Sequence, residues 1–131
     1  MKKTTEDYLK TIYRISQNSG EVRSIAIAEA LSVTKPTVSK TVKRLIGEGY
    51  ITMDGAYCIE LTERGLAIAK ATLDRNKTIR DLLTGLGVDE QTAEADACEM
   101  EHAISLKSMD ALKKLAGRHC LKTYAVNAEG E

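Results

Sequence analysis

Apolar positions at helical spacing begin almost at the N-terminus, where Leu9, Ile12 and Tyr13 form one stripe in YLKTIYRI. Thr4, Thr5, Glu6 and Asp7 before it predict a helix start, with hydroxyls to cap and acids near the positive end of the dipole. The polar cluster Gln17-Asn18-Ser19-Gly20 ends that helix. Ser24 is placed to cap a second, short helix, IAIAEAL, ending near Leu31. After a turn at Ser32-Val33, Thr34 caps a third helix, KPTVSKTVKRLIGEG, with Val38, Val42 and Leu45 as its buried stripe. Pro36 is tolerated because it lies in the first turn, where a missing N–H is no loss. Gly47 and Gly49 close the helix.

The period then shortens. Tyr50–Met53 and Tyr57–Leu61 predict two strands around a turn at Asp54-Gly55. Thr62 caps a long helix that Gly85 and Gly87 terminate, Asp89 caps another running through His102, and Ser105 caps a last one ending at Gly117. The stretch to Glu131 carries no clear signal, and no internal repeat occurs.

Helix, short helix, turn, basic helix and two-stranded wing is the order of a winged helix-turn-helix in a mainly α chain. In such a fold the third helix lies in the major groove of DNA, its N-terminal side chains near base edges. With the apolar stripe turned inward, Thr34, Lys35, Pro36, Thr37, Ser39, Lys40 and Lys43 face outward. Hydroxyls and lysines suit phosphate and base contacts, and Pro36 suits a thymine methyl. Alone, such a face reads equally as solvated helix surface. Its place between a capped short helix and a wing favours DNA.

Charge sharpens this picture. The net charge of the 131 residues is zero. Residues 1–72 nevertheless carry eleven Lys/Arg against eight Asp/Glu, and residues 73–131 carry eight against eleven. The halves therefore stand at +3 and −3, and predict a DNA-binding domain over 1–72 and a helical domain over 73–131. From Thr34 to Leu45, Lys35, Lys40, Lys43 and Arg44 occur with no acid among them. A mildly basic patch on a neutral chain fits a dimeric, sequence-specific binder of operator DNA. Aromatics are five tyrosines only, so the core must be aliphatic. No run of 18 apolar residues and no apolar leader occur, so a soluble cytoplasmic protein without membrane partners is expected. Three cysteines, Cys58, Cys98 and Cys120, with no CxxC pair argue for free thiols or ligands.

The acidic half holds one constellation of chemical interest. In ACEMEHAIS, Cys98, Glu101 and His102 stand at i, i+3 and i+4, which places a thiol, a carboxylate and an imidazole on one helical face. First-row divalent metals accept that donor mixture, and a fourth ligand must come from elsewhere. Each residue alone reads as readily as a small buried thiol, a solvated acid and a surface or core histidine. Glu101 and His102 also make an acid/base pair. No nucleophile loop or phosphate cradle accompanies them, so neither an enzyme nor a small-molecule substrate is expected.

TTEDYLKTIY, KPTVSKTVKRL, LTERGLAIA, LGVDE and ACEMEH followed by Ser105 resemble, in register from Thr4 to about Ser108, the diphtheria-toxin-repressor and manganese-transport-regulator family of metal-dependent repressors. The resemblance implies a winged-helix domain, then a helical metal-binding and dimerisation domain, in the short form without the SH3-like domain of longer members. It implies that Asp7, Cys98, Glu101 and His102 are metal ligands. The cysteine is the choice of the iron-responsive branch, and the aspartate that of the manganese-responsive branch. At Asp7 the bland alternative is an acid serving the helix dipole.

Departures from the family matter too. The manganese branch has a glutamate one turn after the aspartate and a histidine in the long helix, where this chain has Lys10 and Asn76. The iron branch's ancillary site needs His, Glu and His where this chain has Asn76, Arg80 and Glu94. One divalent metal per protomer is therefore expected, Fe(II) or Mn(II), with Co, Ni or Zn accepted in vitro. Lys10 or Arg80 would supply fixed positive charge where a second cation would sit. A winged-helix regulator answering to a small ligand or to thiol oxidation at Cys98 is the alternative. The His119-Cys120 pair reads as structural, with an accessory metal site there as the alternative.

Overall fold

The computed structural model describes residues 2–128, and side chains as far as residue 117. The chain divides between Thr72 and Leu73 into two compact units.

Three helices and a hairpin make the first unit: α1 (Lys2–Ser19), α2 (Ser24–Leu31), α3 (Lys35–Gly47), β1 (Ile51–Met53) and β2 (Ile59–Leu61). α4 (Glu63–Gly85) supplies residues 63–72 to this unit and 73–85 to the second. α1 starts before Thr4, so the expected capping residues lie inside it and its first turn holds no acid. Its stripe is as expected, with Leu9 and Ile12 fully buried beside Val22, Ile27, Val38, Val42, Leu45, Ile51 and Ile59. The core is aliphatic except for one aromatic ring, that of buried Tyr8, and Tyr13 and Tyr50 pack against the core's edge.

Ser24 is the first residue of α2 and not its cap. Arg23 occupies the cap position in extended conformation, without a side-chain capping bond. Ser32 then turns the chain through the left-handed region (φ 56°), and Val33 N–H closes onto the Ala28 carbonyl. That local conformation delivers Thr34 in extended geometry to cap α3, its Oγ1 accepting from Thr37 N–H.

The wing is tighter than the sequence reading. β1 and β2 are antiparallel, with Ile51 opposite Leu61 and Met53 opposite Ile59, and β2 begins only at Ile59. Tyr57 and Cys58 belong instead to the connection. Asp54 organises it, its carboxylate accepting from Ala56 and Cys58 N–H at 2.8 and 2.9 Å. Tyr57 N–H closes onto the Asp54 carbonyl, and Tyr57 itself has φ 66°. The left-handed region favours glycine, so a 70% exposed tyrosine at that point of the connection is unusual.

The wing is fixed to α4 at one knot. Thr62 donates through Oγ1 to the Gly49 carbonyl at 2.7 Å, accepts Gly65 N–H at 3.2 Å, and donates its own N–H to the Tyr50 carbonyl at 3.0 Å. A Cβ on Gly65 would land on that Tyr50 carbonyl oxygen, so only glycine lets helix and strand approach this closely.

In the second unit, α4 continues to Gly85 and is followed by α5 (Glu90–Met100) and α6 (Leu106–Ala128). Gly87 (φ 101°) turns the chain, and Asp89 caps α5 by accepting Thr92 N–H at 2.9 Å. Ser105 caps α6 through Ser108 N–H. Buried Ile79, Ala97 and Met109 form the core, with Leu83, Ile104 and Leu112 packed against them. α6 does not stop at Gly117. Glycine in a helix interior costs only about 1 kcal/mol, and Leu121, Lys122 and Ala125 beyond it are good helix formers by sequence.

Candidate metal centre and nucleic-acid interface

All seven outward positions of the third helix and its cap, Thr34, Lys35, Pro36, Thr37, Ser39, Lys40 and Lys43, are exposed. Thr34 and Thr37 are tied to each other, Oγ1 to Oγ1, at 2.8 Å. Arg44, the remaining base of the run, turns aside to Glu48 at 2.9 Å and Thr5 at 3.4 Å. Beside α3 runs an apolar groove towards the wing, floored by Val42, Ile46 and Met53 and rimmed by Lys43, Arg23 and Tyr57. Composition alone hides this groove, because its two walls are separated in sequence.

Cys58 sits in the wing connection, not in a strand. Its thiol donates to the Glu21 carboxylate at 3.0 Å, and Glu21 also accepts from Arg23 at 2.9 Å. The shared hydrogen bond raises the Cys58 thiol above its ordinary range and lowers Glu21, which Arg23 lowers further. Arg23 spends its other nitrogen on the Ala56 carbonyl at 2.7 Å, bracing the wing tip. These partners make Cys58 a structural thiol.

Asp7 lies past the first turn of α1, which removes the dipole explanation for it. Lys10, buried one turn later, places Nζ 3.9 Å from Asp7 Oδ1.

The other expected ligands belong to the second unit. α5 ends at Met100, two residues earlier than the periodicity predicts. Glu101 keeps helical dihedrals (φ −59°, ψ −26°) and its N–H reaches Ala97 O at 2.9 Å. Beyond it, Ala103 N–H bonds to Met100 O in a tightened turn. His102 therefore stands in a turn. Arg75 holds that turn by donating Nε–H to the Glu101 carbonyl at 2.8 Å. The Glu101 side chain is 1% exposed as a residue, with Oε2 3.1 Å from His102 Nε2. A buried carboxylate oxygen facing an imidazole nitrogen is a donor pair that fits a first-row divalent cation.

Cys98 keeps different company. Its sulfur accepts from Asn76 Nδ2 at 3.6 Å, and its thiol donates to Glu94 Oε2 at 3.4 Å. Glu94 Oε1 is in turn held by Arg80 at 2.9 Å. An amide and a carboxylate held in an ion pair thus stand against Cys98. Sequence reasoning took Asn76 and Glu94 only as departures, and Arg80 also as fixed positive charge in place of a second cation. The signal for their partnership is the i, i+4 spacing of both pairs, 76/80 and 94/98. The side chains of His119 and Cys120 lie outside the described residues.

Exposed reader helix, wing and buried acid–imidazole pair together define a winged-helix DNA-binding protein with a metal-binding unit. Family models match both parts: the iron dependent repressor N-terminal DNA binding domain over residues 1–56, and the iron dependent repressor metal binding and dimerisation domain over 62–120. The chain belongs to this family of metal-dependent transcriptional repressors, which are not enzymes.

Among relatives, an uncharacterized HTH-type transcriptional regulator of Methanocaldococcus jannaschii is 37% identical over 115 residues, covering 86% of this chain and 92% of that one. The transcriptional regulator MntR of Escherichia coli is 33% identical over 117 residues, covering 89% and 76%. Among solved structures, the manganese regulator SloR aligns with TM-score 0.77 at 30% identity, over 86% of this chain and 53% of its own. A manganese-dependent transcriptional repressor in complex with manganese aligns at 0.79 with 26% identity, over 86% and 52%. The chain thus spans about half the length of those two solved chains.

Proposed function

We propose that this chain is a metal-dependent transcriptional repressor that binds operator DNA as a homodimer. Residues 1–72 would read DNA through Thr34, Lys35, Pro36, Thr37, Ser39, Lys40 and Lys43, and residues 73–131 would bind metal and dimerise. One Fe(II) or Mn(II) per protomer would be held by Asp7, Cys98, Glu101 and His102. The observation that carries this reading is the Glu101–His102 pair, a fully buried carboxylate at 3.1 Å from an imidazole, in the part that matches a metal-binding domain. Such a regulator works in the cytoplasm, and no helix among the described residues is long and apolar enough to cross a membrane.

A bound divalent cation supplies charge neutralisation and a fixed coordination geometry. The residues do the rest. Arg75 holds the turn that presents Glu101 and His102. Asp7, which lies in α1, would bring a donor from the DNA-reading unit. Ligands drawn from both units favour one disposition of the two recognition helices in a dimer. Half-sites about 34 Å apart select one such spacing. A coupling of about 2–3 kcal/mol gives a roughly 30- to 150-fold change in operator affinity.

The test is an anaerobic Co(II) titration of metal-free protein, paired with DNA-binding assays on selected operator sequences with and without Mn(II) or Fe(II). Saturation at one equivalent, lost in Glu101→Gln and His102→Ala, supports the reading. DNA binding that ignores metal while Cys98 oxidation abolishes it would replace it with the thiol-sensing alternative.

A further inference from the structure

Two helical faces meet around one sulfur atom. Asn76 and Arg80, a turn apart on α4, face Glu94 and Cys98, a turn apart on α5. Asn76 is 1% exposed, and an amide buried so completely is costly unless its donors are used. The Nδ2 hydrogen bond at 3.6 Å spends one of them on Cys98 Sγ. A neutral thiol is a weak acceptor, whereas a thiolate is a strong one, so this bond gains strength when the sulfur carries charge. Glu94 approaches the same sulfur with Oε2, and Arg80 neutralises its other oxygen at 2.9 Å. A carboxylate beside a thiolate is repulsive, and the guanidinium paired with Glu94 offsets that repulsion.

We propose that Asn76 is a positioning residue for the metal-ligating sulfur of Cys98: its buried amide fixes the direction of Sγ and withdraws electron density from it, with the Arg80–Glu94 ion pair bracing the opposite side. The inference rests on the reading of Cys98 as a ligand. Partners that hold a ligand from behind commonly set metal affinity within one to two orders of magnitude. Here they also set the softness of the donor, because a hydrogen-bonded thiolate gives less charge to a cation than a bare one.

The experiment uses the full chain and Co(II) alone under anaerobic conditions, comparing wild type, Asn76→Leu, Asn76→Ser and Cys98→Ser. Metal-free melting curves establish which variants fold, and Asn76→Ser serves where the apolar variant does not. Loss of the amide donor is expected to weaken Co(II) binding about tenfold or more. It is also expected to move the sulfur-to-cobalt absorption band to lower energy, a change that mere loosening of the fold does not produce. Wild-type band energy and affinity in both Asn76 variants would overturn the role of Asn76 and leave Cys98 as a ligand. A wild type whose spectrum matches that of Cys98→Ser would remove Cys98 from the ligand set, and this inference with it.

Discussion

A single hydrogen atom in place of a methyl decides how β1 and α4 meet. Gly65→Ala puts a Cβ against the Tyr50 carbonyl, and backbone is the kind of neighbour that gives way least. The variant is expected to lose about 1–3 kcal/mol, read as a lower denaturation midpoint. Tyr57 illustrates the opposite case. Its φ of 66° favours glycine, so Tyr57→Gly should gain about 0.5–1 kcal/mol after glycine's greater chain entropy is deducted. A higher melting temperature checks it, and an unchanged or lower one refutes the strain. Asp89 carries a pH dependence. Hydrogen bonds from Thr92, the backbone N–H foremost, hold its carboxyl below the ordinary 3.8. A depressed folded-state pKa means stability present above the unfolded value and lost as pH falls through the folded one. Unfolding curves should therefore show a steeper acid limb, below about pH 3.8, in the wild type than in Asp89→Asn.

Elements were legible wherever their signals were local. Thr34, Thr62, Asp89 and Ser105 cap as read, because a short polar side chain and an N–H three residues on need no tertiary help. Ser24 fails by one place because Arg23, drawn to the Ala56 carbonyl 33 residues away, takes the extended position. The end of α5 was missed for a similar reason: a turn held by Arg75 from another helix has no mark in the periodicity of ACEMEH. Glycine misled at α6, where residue 117 sits in mid-helix and an added Cβ would meet nothing within 4 Å among the described residues. The reader helix yields a prediction of its own. If Lys40 and Lys43 each contact a phosphate, replacing either by alanine weakens binding to all sequences alike. The salt dependence of log K should then fall by about one in slope. A change confined to one base position would instead assign that lysine to base readout.

At the scale of the whole molecule, the order of elements was enough to expect a winged helix followed by a helical unit, and the family match agrees. The site was less legible. Helical spacing offered Cys98, Glu101 and His102 as one face. The structure pairs Glu101 with His102 and gives Cys98 to Asn76 and Glu94, because the helix ends between them and α4 brings partners that spacing along α5 cannot reveal. Metal removal supplies the corresponding test. Treating loaded protein with a chelator should lower operator affinity by roughly 30- to 150-fold while leaving far-ultraviolet circular dichroism nearly unchanged. A collapse of secondary structure would make the metal a folding cofactor instead of an effector.

The knot at Thr62 has a consequence for how this region opens. Its three hydrogen bonds join Gly49, Tyr50, Thr62 and Gly65, and no one of them can break while its neighbours hold their geometry. The amides of Thr62 and Gly65, though near a helix end where fraying is the rule, should therefore trade deuterium in a single shared event with the strands of the wing and not ahead of them. In an isotope-labelling time course they would behave as members of the sheet, and the first turn of α4 would keep the clock of the hairpin.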